Sequence, residues 1–386
     1  MRVKLGDVCE KKIDAIKANY KGMIDYIDIA SVDNQQKIIT DTKQMTIENA
    51  PSRAKQLVFP GDILVSMVRP NLNAVALVPK ISNNVLVAST GYCVLRCLPS
   101  VDTKYVFYFC QSSAFVDELV RQATGASYPA VTANIVRDCF IPLPSLDAQR
   151  HIAAILDKVT DLIAKRQAQL DKLDELVKAR FVEMFGEPGT DQKGGGMVCL
   201  GSLWIINPKK SQEKRLSSDL RVSFIPMTAV TENGGIDVSE TKTYNEVKTG
   251  FTYFAEKDVL FAKITPCMEN GKGAIAQRLC NGIGFGSTEF HVLRPIPGQS
   301  NPYWIYSLTS FPQFRQDAAS NMTGSAGQRR VPASFLETYK VSAPPIALQD
   351  QFALFVKQIQ RMKAKAHNSL EKLDVLKNSL MQQYFG

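Results

Sequence analysis

The stretch LDKLDELVKARFVEMFG, from Leu170 to Gly186, returns 200 positions later as LEKLDVLKNSLMQQYFG, from Leu370 to Gly386. Such a repeat constrains the fold more than any single motif, because each copy must be one structural unit used again. The match runs far upstream at the same offset. Pro144 meets Pro344, Gln149 meets Gln349, Ala153 meets Ala353, and Ala164-Lys165 meets Ala364-Lys365. Val131 meets Val331, and Thr124-Gly125 answers Thr323-Gly324 with one residue inserted. TGYCVLR (Thr90 to Arg96) answers TEFHVLR (Thr288 to Arg294), and GDILVSMVRP (Gly61 to Pro70) answers KDVLFAKITP (Lys257 to Pro266). The openings agree too, VKLGDV at Val3 with VCLGSL at Val198. The chain therefore reads as one unit of about 190 residues, used twice.

Each copy begins with a globular part. DILVSMV and AVALV in the first, and DVLFAKI and EFHVLR in the second, are short β-rich runs bounded by Pro, Gly and Asn. Tyr105 to Leu119 and Tyr303 to Phe314 read as helices. Short strands with one or two helices predict an α+β domain. Pro142 and Pro144 close the first globular part, and APP (Ala343 to Pro345) closes the second.

A long helix follows each globular part. Ser145 fits an N-cap, and no Gly or Pro occurs from there to Phe185. Apolar residues recur at spacings of four and three: Ile152, Leu156, Val159, Ile163, Leu170, Leu173, Val177, with Arg166 and Arg180 as interruptions. The second copy offers Phe352, Val356, Ile359, Leu370, Leu373, Leu380, interrupted by Lys363 and Lys377. That is the heptad pattern of helix packed on helix. Asp161 with Lys165 and Asp174 with Lys178 are spaced as i,i+4 ion pairs. Gly186 fits a C′ stop and Pro188 bars continuation. A helix of roughly 40 residues is about 60 Å long and cannot bury its seam on its own small domain. Its twin is the economical partner, and a pseudo-two-fold sets the two antiparallel. The expected architecture is α+β: two tandem globular domains joined by two long antiparallel coiled-coil helices. The expected segments are globular parts at 1–141 and 198–341, helices at 142–186 and 342–386, and a linker at 187–197. The expected shape is a rod with a reader near each end, in which one turn of helix added or removed moves the readers apart or together by about 5.4 Å.

Lys plus Arg total 46 and Asp plus Glu 37, a formal charge of +9. That admits nucleic-acid binding and is equally compatible with a soluble basic protein. The eight cysteines are scattered without a C-x-x-C pair, as expected of reduced cytoplasmic thiols. No targeting segment and no apolar run of roughly 20 residues is visible, so no membrane association is expected.

Catalytic motifs are few. The three histidines, His151, His291 and His367, make no H-E-x-x-H, and no P-loop occurs. GIGFG (Gly282 to Gly286) reads as a hairpin turn, and NPYW (Asn301 to Trp304) as a helix start with Pro near N1. Neither a catalytic residue nor a metal site is expected. Two polar loops recur in both copies with different side chains. VRPNLNA offers Arg69, Asn71 and Asn73; KITPCMENGKG offers Lys263, Thr265, Asn270 and Lys272. ATGASYPAVTAN offers Thr124, Ser127 and Tyr128; MTGSAGQRRVPAS offers Thr323, Ser325, Gln328, Arg329 and Arg330. Arg and Lys bond guanine edges, Asn and Gln adenine edges, and turn N–H groups bond phosphates. One scaffold with two readouts fits a ligand with two unlike half-sites, such as duplex DNA. A self-contained DNA methyltransferase or nuclease finds no room beside the repeat. A coiled-coil adaptor that binds proteins only is the alternative.

IPLPSLDAQRHIAAIL (Ile141 to Leu156), GDILVSMVRPNL, the ATG stretch and the helix tails ending in FG together resemble the specificity (S) subunits of type I DNA restriction-modification systems, over essentially the whole chain. Ser145 and Ala148 replace the second Pro and the Glu of that family's I-P-L-P-P-L-x-E-Q-x-x-I pattern; in APPIALQDQFALF, Leu348 stands at the Glu position. The resemblance implies that each globular part is a target recognition domain for one half of a bipartite, asymmetric DNA site, and that the helices set the gap. It implies a non-catalytic chain that assembles with two modification (methyltransferase) subunits, which use S-adenosylmethionine. It further implies restriction (translocase/nuclease) subunits that use ATP and Mg.

Overall fold

The β-rich runs of each repeat fall in one of its two main sheets, and the two main sheets keep matching strand orders in both repeats. The computed structural model describes residues 1–17, 19–80, 84–192, 196–209, 216–325 and 327–386. The chain divides into two compact units, Met1–Gln167 with His367–Gly386, and Ala168–Ala366.

In the first unit a four-stranded sheet runs Lys43–Thr46, Met23–Ile27, Val85–Ser89, Ala54–Leu57. Its two central strands are parallel and its edges antiparallel. A three-stranded antiparallel sheet runs Tyr92–Leu95, Ile63–Ser66, Val75–Leu77. The strands Ile63–Ser66 and Tyr92–Leu95 are buried along their whole length, which explains their near-continuous apolar sequence. The second unit repeats the order, with Thr241–Thr243, Arg221–Ile225, Ile283–Gly286, Thr252–Ala255 in one sheet. The other holds Trp204–Ile206, Phe290–Pro295, Val259–Ala262, Gly273–Ile275. The extra edge strand Trp204–Ile206 has as its first-unit counterpart only a single bridge between Cys9 and Cys97.

Two expectations are corrected here. Tyr105 to Leu119 is two helices, Thr103–Phe109 and Ser113–Gln122, and the matching region is Pro302–Ser310 and Pro312–Ser320. Ser112 caps a new helix by accepting from Phe115 N, and Pro312 sits at N1 of its own helix. GIGFG forms no hairpin turn. Ile283–Gly286 is a central strand, parallel to Arg221–Ile225. Glycine is needed there because a Cβ at Gly284 would collide with the Phe254 ring. NPYW is a helix start, with Asn301 accepting from Tyr303 N and Pro302 at N1.

The long helices are Leu146–Phe185 and Ile346–Phe385, each of 40 residues. Ser145 Oγ accepts from Ala148 N, and Gly186, at φ 82, donates its N–H to Val182 O. The first unit holds the start of one helix and the end of the other. Ile152, Ala153, Leu156, Leu380, Tyr384 and Phe385 share its core, so the two segments run antiparallel. The second unit mirrors this with Phe181, Phe185, Phe352, Ala353 and Val356. Of the seam residues, Leu156, Val159, Leu170, Leu173, Phe352, Val356 and Ile359 are buried; Ile152, Ile163, Val177, Leu370, Leu373 and Leu380 are half-buried. The i,i+4 pairs do not form. Asp174 instead accepts from Lys363 on the facing helix at 2.7 Å, which gives one heptad interruption an ionic partner. His151 and His367 are exposed. No described helix is long and apolar enough to cross a membrane. Of the linker, 193–195 lie outside the described residues.

One buried glutamine locks each long helix to its domain. Gln149 Oε1 accepts from Asp102 N at 3.0 Å, and its Nε2 donates to Pro144 O at 2.9 Å. Gln349 Oε1 accepts from Asn301 N, and its Nε2 donates to both Gln299 O and Pro344 O. Both side chains are buried, and the oxygen and nitrogen of each amide have hydrogen-bond partners, as buried amides need.

Candidate nucleic-acid interface

Both polar loop pairs come together, and the same backbone bonds hold them. In the first unit Arg69 N donates to Pro129 O at 2.7 Å and Val131 N to Met67 O at 2.9 Å. In the second, Thr265 N donates to Arg329 O at 3.0 Å and Val331 N to Lys263 O at 2.9 Å. Thr124 exchanges two hydrogen bonds with Ala130, and Thr323 exchanges two with Arg330. The glycine after each threonine has a reason. Gly125 has φ +102 and a Cβ there would lie 2.9 Å from Tyr128 O; Gly324 has φ +118 and the same 2.9 Å to Gln328 O. Only glycine closes so tight a loop without strain. The Thr-Gly repeat is the sequence mark of this platform.

A bonded Asp–Arg pair recurs at the far end of the strand that leads into each platform. Arg96 Nε and Nη2 donate to Asp62 at 2.9 and 2.7 Å; Arg294 does the same to Asp258 at 2.8 and 2.7 Å. Each carboxylate also caps a turn, accepting from Phe59 N or Ala255 N. The aspartate holds each guanidinium pKa above its ordinary value. These residues stood in the matched motifs, but sequence alone did not show that they pair.

The side chains on the two platforms differ. On the first, Arg69, Asn71, Thr124, Ser127 and Tyr128 are exposed. The Arg69 guanidinium lies 4.6 Å over the Tyr128 ring. Asn73 is committed inside the protein: its Oδ1 accepts from Lys37 Nζ at 2.8 Å and its Nδ2 donates to Cys110 O at 3.0 Å. On the second, Asn270, Thr323, Ser325, Gln328 and Arg329 are exposed, and Lys263, Thr265, Lys272 and Arg330 half-buried. Arg330 makes a bidentate pair with Glu289 at 2.8 and 2.9 Å, and holds that carboxyl below its ordinary pKa. Arg329 lies 3.7 Å from Glu269, which also accepts from Thr265 Oγ1 at 2.8 Å. Lys272 Nζ donates to Met227 O at 3.3 Å. Alignment of the repeats puts Gly91 and Ala130 where the second unit has Glu289 and Arg330.

His291, the strand residue that answers Cys93, lies under the second platform. Its Nε2–H donates to Val331 O at 2.8 Å, and its Nδ1 accepts from Asn207 Nδ2 at 3.0 Å. Burial, first of all, lowers its pKa. A neutral imidazole satisfies both bonds; with a second proton Nδ1 would have to turn to Asn207 Oδ1, 3.3 Å away, which already accepts from Val292 N.

Geometry thus gives two exposed loop pairs on matched scaffolds, whose polar side chains are differently placed and differently partnered in the two copies. The model of the type I restriction modification DNA specificity domain matches the chain twice, over residues 1–174 and 196–374. The type I restriction enzyme EcoEI specificity subunit of Escherichia coli is 36% identical over 203 residues, 52% of this chain and 32% of that one. The EcoAI specificity subunit of the same organism is 37% identical over 204 residues, 52% and 34% of the two chains. The match thus spans about a third of the length of these relatives. A chain from a structure of complex assembly and conformational transition of the type I R-M system superposes on 100% of this chain and 97% of its own, with TM-score 0.59 and 22% identity, and so shares the fold. With both repeats matched, the chain belongs to the type I restriction modification DNA specificity family.

Proposed function

We propose that this chain is the DNA specificity subunit of a type I restriction-modification complex and reads a bipartite, asymmetric duplex target, one half-site per repeat. The observation that carries the reading is the doubled platform. The same hydrogen bonds and the same glycine hold loops whose outward side chains differ, as two unlike half-sites require. The long helices set the gap between half-sites. The chain recognises and does not catalyse. Its partners are two modification subunits that methylate adenine with S-adenosylmethionine, and restriction subunits that use ATP and Mg. It works in the cytoplasm.

The contacts divide by chemistry. Arg69, Asn71, Asn270, Gln328 and Arg329 carry exposed groups suited to base edges, while the turn hydroxyls of Thr124, Ser127, Thr323 and Ser325 suit phosphates. Tyr128 supplies an exposed ring. Lys263, Thr265, Lys272 and Arg330 sit lower, and Asn73 supports its loop. Selection of a randomised duplex library on the full-length chain, over a series of salt concentrations, tests the reading. Two unlike motifs at a fixed gap are expected, with affinity falling as salt rises. Retention of every duplex alike would overturn it, and so would retention of none, the result expected of an adaptor that binds only proteins. Adding one helical turn to both long helices should change the gap and leave both motifs as they are.

A further inference from the structure

We propose that the first repeat reads a guanine through Arg69, with Tyr128 as the residue that holds the guanidinium ready. The inference rests on the DNA-reading role above and adds one base and one mechanism to it.

The first observation is strain. Arg69 has φ 48 and ψ 62, in the left-handed region that a residue with a Cβ seldom adopts. Its N–H is bonded to Pro129 O, so the backbone is pinned there. A pinned, unfavourable backbone is retained when the side chain it aims has a task. The second observation is an unmet valence. Among the described residues no acceptor takes a hydrogen bond from the Arg69 guanidinium; its contact is the Tyr128 face, 4.6 Å away. Stacking uses the π faces and leaves the N–H donors at the rim of the guanidinium plane free. The third is the exposure of Tyr128, at 68%, on a loop held by Gly125 and by the Thr124–Ala130 bonds. A large ring so open on a pinned loop is a platform rather than core.

A stacked, immobilised guanidinium with a free rim matches the O6 and N7 acceptors of guanine, which it can bond in bidentate fashion. Lysine lacks that planar fork. The second repeat acts as an internal control. At the same backbone position stands Thr265, whose hydroxyl donates to Glu269, and Arg330 is clamped by Glu289. The stacked, uncommitted arginine therefore belongs to the first half-site alone.

The test compares the motifs selected from a randomised duplex library by the full-length chain and by Arg69→Ala, Arg69→Lys, Tyr128→Phe and Tyr128→Ala. The native chain should select a G·C pair in one half-site. Arg69→Ala should weaken that preference roughly ten- to a hundredfold. Arg69→Lys should also lose most of it, Tyr128→Phe should keep it, and Tyr128→Ala should lose it in part. The other half-site should stay as in the native chain, which reports on folding in the same molecule. If Arg69→Ala weakens all sequences alike and flattens the salt dependence, Arg69 holds a phosphate and the inference fails. If the motif of Arg69→Ala equals the native one, it fails too. If the native chain selects no bipartite motif, it is the DNA-reading role itself that falls.

Discussion

The first platform presents an arginine stacked on a tyrosine; the second presents arginines tied to glutamates. Below that surface the two are nearly interchangeable. The Thr-Gly turn, the two cross-loop backbone bonds, the Asp–Arg pair and the helix-locking glutamine recur residue for residue. The difference teaches where a reader can vary. Backbone bonds and a glycine fix the loops in both copies, which leaves the outward side chains room to differ. Replacing Gly91 and Ala130 by a glutamate and an arginine adds a matched pair and changes what the surface offers. It leaves the bond from Met67 N to Gly91 O intact, as Lys263 N to Glu289 O.

The strongest way to break this comparison is at the helix ends. Phe385 packs on Tyr105 and Phe109 in the first unit, and Phe185 on Phe181 and Phe352 in the second. Each unit thus takes an essential ring from the other repeat's helix. Phe385→Ala should cost the first unit about 3–5 kcal/mol, and Phe185→Ala the second unit a similar amount. Hydrogen exchange resolved along the chain would check it. Loss of protection in the second unit on Phe385→Ala would refute the exchange of helix ends. Next in size is the glutamine lock. Each buried group left unmatched costs about 1–3 kcal/mol. Gln349 makes three such bonds and Gln149 two. Chemical denaturation should therefore find Gln349→Ala the more damaging; the reverse order would mean that the amide bonds are not what the lock supplies.

How much of this could be read beforehand follows the same division. The repeat offset, the 40-residue helices, the Ser145 cap and the Gly186 stop were legible because each depends on local spacing and local backbone rules. The break at Ser112 was not, since a capping serine looks like any polar residue within a helical run. GIGFG misled because Gly284 answers to the Phe254 ring and Gly286 to Ile225 O, partners distant in sequence. The ion pairs went astray for a like reason: Asp174 had two lysines to choose from, and one of them, Lys363, lies on another helix. The two loops of each copy, read as separate stretches, do meet through backbone bonds. That Asn73 would be committed to Lys37 and Cys110, or Arg330 to Glu289, needed the third dimension.

A smaller effect is expected at the Thr-Gly turns. Gly125→Ala and Gly324→Ala each force a left-handed residue, about 1–2 kcal/mol, and press a methyl group on a carbonyl. Selection of bound duplexes should show each variant losing one half-site motif and keeping the other. If both motifs vanish together, the platforms are not independent.

The smallest effect is one of pH, and it sharpens the comparison because Cys93 in the first unit answers His291 in the second. Burial lowers the His291 pKa below the ordinary imidazole value of 6.5, with Lys263 adding to the shift and Val331 O and Glu289 opposing it. In the folded chain the ring stays neutral where the unfolded chain takes up a proton. The stability it allows is full above 6.5 and declines as pH falls through that value towards the folded one. Between about pH 7 and pH 5 the second platform should therefore loosen while the first does not. The ring is bonded on both sides, to Asn207 and to Val331 O, so a change in its charge is felt at the strand that carries the Val331 contact. Exchange rates at residues 327–335, followed against residues 127–135 in the same sample, give the measurement. His291→Cys, which copies the first unit, should flatten the difference; a decline that persists in that variant would assign the pH response to another group.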